Sequence, residues 1–279
     1  MKKFLLLLLF VPLVSFAQDD LLAGMDSVAK NQPVESAFKA LKIVNLESTK
    51  LAAKGDLYLV IAHRFSSIKD GAEGFWGLDN AVTQIKFLYG VTKWFTISGA
   101  RSEQAFDFSA KYRFQEQMTN GFPVTIVGFS SLGFNNQMKE SIYPNMEFSD
   151  RMIYVSQMLI SRKVSKNFSV ELAPTFLHEN FVVDDLQENS QYLIGMGGRY
   201  KLTKRLSVNL DYATHLNRSA SSGFVDPLSF GVDLDTGGHV FQMHFSNSQG
   251  IHEAGFLGNT SGNWYKGDIF FGFNLLRVF

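Results

Sequence analysis

The residues of this chain that are equipped for chemistry are six histidines and a balanced set of charges, 26 basic and 26 acidic. Their spacing narrows what that chemistry can be. His239 and His244 form an H-x4-H. On a strand, where successive side chains alternate between faces, an odd separation puts them on opposite sides, so a shared metal is not expected. Asp211 and His215 fall on one face about 13 Å apart, at about 3.3 Å per residue, beyond hydrogen-bond reach. A nucleophile dyad would need a serine beside His215 or His244 that spacing alone does not supply. GMGGRY (195–200) precedes no helix, so its glycines read as close strand packing and not as a phosphate loop. His252 and Glu253, in a long polar connection, read as solvated surface. The pattern therefore predicts no catalytic residue, no metal and no cofactor.

The remaining charges lie on alternating strands. In 206–217 one face carries Leu206, Val208, Leu210 and Tyr212, and the other Ser207, Asn209, Asp211, Ala213 and His215. In 104–115 Phe106, Phe108, Ala110, Tyr112 and Phe114 oppose Asp107, Ser109, Lys111, Arg113 and Gln115. In 227–236 Leu228, Phe230, Val232 and Leu234 oppose Ser229, Gly231, Asp233 and Asp235. Period-two alternation of this kind marks strands with one apolar and one polar surface.

A basic knot recurs between such strands: GVTKWFTI (90–97), KVSKNFSV (163–170) and KLTKRLSV (201–208). Each centre, Thr or Ser followed by Lys, predicts a tight hairpin turn. MTNGFP (118–123) and TGG (236–238) add two more. The connections between these turns are long and rich in Gly, Ser, Asn and charge: 67–80, 135–150, 182–190, 217–227 and 247–267. Short turns at one end and long loops at the other are the layout of an outer-membrane β-barrel. A soluble sandwich could show the alternation, but not so many aromatics at strand ends. Tyr89, Trp94, Phe95, Tyr112, Phe114, Phe168, Tyr200 and Phe279 are placed to form an interfacial girdle.

Composition agrees. The first seventeen residues, MKKFLLLLLFVPLVSFA, have a basic start, a leucine-rich core and small residues before a cut, and read as a secretory signal peptide. Without Lys2 and Lys3 the basic residues fall to 24 against 26 acidic, a formal charge of −2, which offers no basic field for nucleic acid. With no cysteine there is no disulfide, thiolate metal site or acylated N-terminal cysteine.

Counting back from Phe279, strands are expected near 268–279, 239–248, 227–236, 206–217, 191–202, 168–180, 151–164, 122–135, 105–116, 94–102, 81–91 and 55–66. The fold class is therefore all-β, a transmembrane antiparallel up-and-down barrel of about twelve strands (12–14) over 51–279. Residues 18–50 form an N-terminal periplasmic or plug segment, with room for a strand. Within it, 33–48 does not fit the strand scheme, and three placements stay open: threading the lumen, lying on the periplasmic face, or forming a hairpin. The closing GDIFFGFNLLRVF ends on an aromatic, and such an ending resembles the signal read by the outer-membrane barrel assembly machinery. Arg277 breaks its apolar face, where a position near the headgroups would let it snorkel.

DLDTGGHVFQMHFSNSQG (233–250), HRF (63–65), GGRYKL (197–202) and the closing strand resemble a family of exported β-barrel proteins of Bacteroidota with a domain of unknown function. The resemblance implies a barrel in a Gram-negative outer membrane and carries no catalytic residue to any position here.

The lumen is expected to be lined by Lys111, Arg113, Arg199, Lys201, Asp211, Asp233 and Asp235, with Arg199 and Lys201 drawn towards the three aspartates across neighbouring strands. Outer-membrane lipid, the assembly machinery during insertion and a small polar solute are the expected partners. Two functional readings follow: a narrow channel or transporter binding or passing a small polar solute, or a docking barrel with a filled lumen that holds a protein partner. An outer-membrane hydrolase is a weaker third.

Overall fold

The computed structural model describes residues 31–139, 141–182 and 186–279. The signal peptide read at 1–17 lies outside the described residues. Twelve strands form one closed antiparallel barrel, each paired with its sequence neighbours, and the last closes on the first. They are β1 (Leu57–Ser67), β2 (Ala81–Gly90), β3 (Phe95–Ser102), β4 (Ala105–Gln115), β5 (Thr125–Asn135), β6 (Met152–Lys163), β7 (Phe168–Glu179), β8 (Ser190–Lys201), β9 (Leu206–His215), β10 (Leu228–Asp235), β11 (His239–Ser246) and β12 (Phe270–Val278). Closure removes both sheet edges, so every strand has a partner on each side, as a membrane without hydrogen-bonding solvent requires. Among the described residues no helix is long and apolar enough to cross a membrane.

The three basic knots fold alike. In each, two successive N–H groups turn back to one carbonyl: Val91 and Thr92 to Phe95, Val164 and Ser165 to Phe168, Leu202 and Thr203 to Leu206. The hydroxyl of Thr92, Ser165 or Thr203 accepts the N–H two residues on, from Trp94, Asn167 or Arg205. A short side chain that bonds its own backbone is what a tight turn selects. The recurrent Thr or Ser is thus a turn clasp. At this end of the barrel Tyr89, Trp94, Phe114, Phe168, Tyr200 and Phe279 are exposed, forming the aromatic girdle. Arg277 lies here too, stacked on Phe279 at 4.6 Å.

The outward face is the expected apolar band, but the inward face is polar only in part. Along β5 to β9 the lumen wall carries Val127, Phe129, Ile153, Val155, Leu159, Ala173, Leu177, Leu193 and Ala213, one continuous apolar cluster. Those strands mix apolar with polar residues on their inward face because the interior holds further chain. From the short-turn end residues 33–53 enter the lumen, where Phe38, Leu41, Ile43, Leu46 and Leu51 are buried. Side chains of this size contribute about 1.5–3 kcal/mol each when fully buried.

From the opposite end the loop between β11 and β12 folds inward through a short helix, α1 (Glu253–Leu257), and buries Ala254, Phe256 and Leu257 in the same cluster. His252 and Glu253 are 5% and 7% exposed. The expectation that they are solvated surface is overturned, because the loop turns into the barrel mouth and meets the N-terminal segment there.

The GMGGRY glycines make room for that segment. A Cβ at Gly197 would stand 2.2 Å from Ile43 Cδ1, and one at Gly195 would stand 3.1 Å from Leu46 Cδ2. The close approach read from these glycines is therefore with the lumen segment. Gly197→Leu is expected to expel Ile43 at a cost of about 1–3 kcal/mol and to expose 37–52 to limited proteolysis, and Ile43→Ala in the same chain should restore protection.

Candidate functional site

The interior is built around a hairpin, Leu41 to Ser48, closed by Ile43 N–H to Leu46 O and Ser48 N–H to Leu41 O, both within 2.9 Å. Its tip is held by one carboxylate. Asp211 of β9 accepts the N–H groups of Val44, Asn45 and Leu46 at 3.1, 2.7 and 2.8 Å, a backbone nest that carries partial positive charge. The Asn45 side chain completes the tip. Its Oδ1 accepts from Arg64 Nη2 at 2.9 Å and Nε at 3.2 Å, and its Nδ2 donates to Ser229 Oγ at 2.9 Å. Arg64 is 2% exposed and also donates to Asn274 Oδ1 at 2.9 Å.

One arm of the hairpin carries Glu47, 1% exposed, among three lysines. Lys111 of β4 stands 2.8 Å away, Lys86 of β2 3.1 Å and Lys42 across the hairpin 3.3 Å. Burial pushes the Glu47 carboxyl up, but these three charges outweigh it and hold it well below the usual carboxylate range. Lys111 also donates to the carbonyls of Leu41 and Ser48 at 2.8 and 2.7 Å, fixing both arms. Beyond Glu47, Thr49 N–H donates to Glu171 Oε2 at 2.9 Å and Thr49 Oγ1 lies 2.6 Å from Ser161 Oγ.

Lys42 joins the two inserted pieces. Its ammonium is 2.7 Å from Glu253 Oε1 and 5.7 Å from the centre of the Phe256 ring. Burial opposes its charge, yet Glu253 and Glu47 hold it above an ordinary lysine. Burial and the neighbouring Lys42 push His252 down to about 4, so its neutral ring starts α1 with Nδ1 accepting Gly255 N–H at 3.1 Å.

The seven residues predicted to line the lumen divide into distinct roles. Lys111 and Asp211 grip the hairpin. Arg199 donates to Ser207 Oγ at 3.0 Å and to Ala37 O at 3.5 Å, and Asp235 pairs with Lys39 at 3.3 Å. Asp233 accepts from Gln242 Nε2 at 3.0 Å, which also reaches the carbonyls of Lys42 and Ile43. Arg113 pairs with Glu116 at 2.8 Å at the foot of β4. Lys201 is half-buried at the foot of β8. There the hydrogen bond from Lys163, with the charges of Lys163, Lys201 and Lys39, outweighs partial burial and holds Glu35 below the usual range.

The direct pairing of Arg199 and Lys201 with the aspartates does not form. The register sets Gly197 opposite Asp211, and Ser207 opposite both Lys201 and Asp233; Asp211, Asp235 and Arg199 bond to the inserted segment instead, and Asp233 to Gln242 of β11. Glu47, Lys42 and Asn45 escaped sequence reasoning because their partners lie far along the chain. Arg64 was missed as well, although alternation, which sets it on the inward face of β1 with Val60 and Ala62, was a signal that could have found it.

Little free space remains. Cavities of about 30 and 10 Å³ persist beside Lys42, Lys86 and Gln84, room for a water or so and not for a solute. His215 Nε2 lies 2.7 Å from Leu257 O, and His239 points outward while His244 is buried inward. His178 Nδ1 is 2.9 Å from Ser190 Oγ.

Residues 38–279 match the family described as a membrane bound beta barrel domain (DUF5777). The chain belongs to this family. A solved porin shares the architecture. The KdgM porin solved in complex with disordered oligogalacturonate superposes with a TM-score of 0.53 at 8% identity, covering 80% of this chain and 99% of that one. The NanC porin gives 0.49 at 9% identity, with 80% and 98% covered, and Omp33 of Acinetobacter baumannii 0.46 at 8%, with 81% and 99% covered. At 8% identity the KdgM porin bears on the fold alone. A search of curated proteins finds no match. In this DUF5777 barrel the lumen is the candidate site, and it is occupied by the chain itself.

Replacing Glu47 by Gln leaves the ammonium groups of Lys86 and Lys111 without a carboxylate and Lys42 with Glu253 alone, at an expected cost of about 3–5 kcal/mol. Glu116→Gln, at a partly exposed pair, is expected to cost under about 1 kcal/mol. Denaturant midpoints of the detergent-folded chain, read as the shift between folded and unfolded gel mobility, separate the two.

Proposed function

We propose that this membrane barrel resides in an outer membrane and acts as a gated narrow channel for a small polar solute, shut at rest by its own N-terminal segment. The reading is carried by the unequal walls of the lumen. β5 to β9 press an apolar cluster, studded with Glu171 and Asp211 bonded to the segment, against the inserted pieces, whereas β1, β2, β4, β11 and β12 keep Arg64, Gln84, Lys86, Asp107, Gln242 and Asn274 around the residual cavities. Charged and amide side chains flanking a closed seam are where a conducting path would open. The smallest opening movement parts Lys42 from Glu253, the contact between the two inserted pieces.

A docking barrel with a permanently filled lumen is the second reading, and the dense bonding of residues 41–49 favours it. An engineered crosslink separates the two. The chain has no cysteine, and Thr49 Oγ1 and Ser161 Oγ are 2.6 Å apart, so Thr49→Cys/Ser161→Cys should close a disulfide between the segment and β6. In planar bilayers the reduced chain is expected to show rare discrete openings that oxidation abolishes and reductant restores. Openings indifferent to the crosslink reject the segment as the gate. A folded, reduced chain that stays silent at every voltage rejects the channel and leaves the docking reading, for which pull-down of one stoichiometric partner is the expected result.

A further inference from the structure

The strand register builds a row on the outer wall at the long-loop end. Arg101 of β3 stands opposite Phe106 of β4, Phe106 opposite Phe134 of β5, and Phe134 opposite Met152 of β6. The Arg101 guanidinium lies over the Phe106 ring, 5.2 Å from its centre, and that of Arg151 over Phe134 at 5.7 Å. Phe148, 70% exposed, stacks on Phe134 at 4.7 Å. Two guanidinium groups therefore sit over rings on adjacent strands, which run about 4.8 Å apart.

Neither arginine has an acidic partner among the described residues. Arg151 Nε is moreover buried with no acceptor. A guanidinium stacked by its face keeps its N–H edge for a planar or tetrahedral anion such as phosphate.

Below the row the wall is notched. Gly99 has no side chain between its cross-strand neighbours Phe87 and Phe108, and a groove of about 630 Å³ runs over it, flanked by Ile97 and Leu132. A second groove, of about 500 Å³, lies beside Arg101, with Thr83 and Ile85 on its wall. Both lie on the outer wall of the barrel.

We propose that β3 to β6 carry a binding site for a membrane lipid with an exposed phosphate headgroup, in the leaflet at the long-loop end. Arg101 and Arg151 hold the phosphate, and an acyl chain lies in the notch over Gly99. The proposal rests on the chain being a membrane barrel and is independent of whether the lumen conducts.

Native mass spectrometry of the detergent-solubilised full chain tests it, with phosphatidic acid, diacylglycerol of the same acyl chains, and inorganic phosphate as separate probes. Phosphatidic acid is expected to bind about tenfold or more tighter than diacylglycerol, as charge-assisted hydrogen bonds to phosphate imply, and inorganic phosphate is expected to give no stable adduct. Arg101→Gln/Arg151→Gln should bring phosphatidic acid down to the diacylglycerol level, and Gly99→Leu should weaken both lipids alike. Equal binding of the two lipids by the unaltered chain overturns the proposal without recourse to any variant. So does undiminished phosphatidic acid binding by a folded double variant. Retention of inorganic phosphate as strongly as the lipid assigns a free-anion site instead.

Discussion

A carboxylate sealed inside a narrow barrel has little bulk water to share its charge, and the interior is organised around giving Glu47 three ammonium groups. Isolated buried charges are too costly to keep, so each must be paired or bonded. Lys111, Lys86 and Lys42 reach Glu47 from β4, from β2 and from the hairpin itself. Because Lys111 also holds two carbonyls of the hairpin, and Lys42 also holds Glu253, the one cluster ties wall, segment and inward loop together. Asp211 does the same for the hairpin tip, with backbone N–H groups in place of ammonium.

The second constraint is space. Twelve strands enclose a lumen too wide for wall side chains of modest size to fill and too narrow for a broad aqueous pore. The chain fills it with two insertions from opposite ends, and the wall is shaped to receive them. Ala173, Gly195, Gly197 and Ala213 keep one region shallow, and Ile43 and Leu46 occupy the room so made. On this side the barrel behaves as a soluble core turned inside out, with lipid against one apolar face and packed chain against the other. On the opposite side Tyr58, Leu88, Val240 and Leu276 share the wall with Arg64, Gln84 and Lys86, and the small cavities collect there.

What alternation can reveal explains how legibility was divided. On β4, β9 and β10 lipid meets one face and polar groups the other, so the period-two pattern exposed both the strands and the charges they send inward. Lys111 and Asp211 were found this way. The pattern names a face and not a partner, so Arg199 and Lys201 were assigned to the aspartates they could approach, when the register and the inserted hairpin decide otherwise. His252 and Glu253 looked solvated because nothing local distinguishes a loop that folds inward from one that faces water.

By itself the sequence determined the barrel: about twelve strands, the tight turns at its Thr-Lys and Ser-Lys pairs, its lipid-facing band and the charges on the other face. These depend on residues within a strand or a turn, where backbone geometry forces side chains to alternate. Only the tertiary structure decided what the charges do. The contacts that fill the lumen join Asn45 to Asp211 and Ser229, Glu47 to Lys111 and Lys42 to Glu253. Such pairs are brought within a few ångströms only when the ring closes and both insertions are in place, and no local periodicity encodes a distance between residues so far apart along the chain.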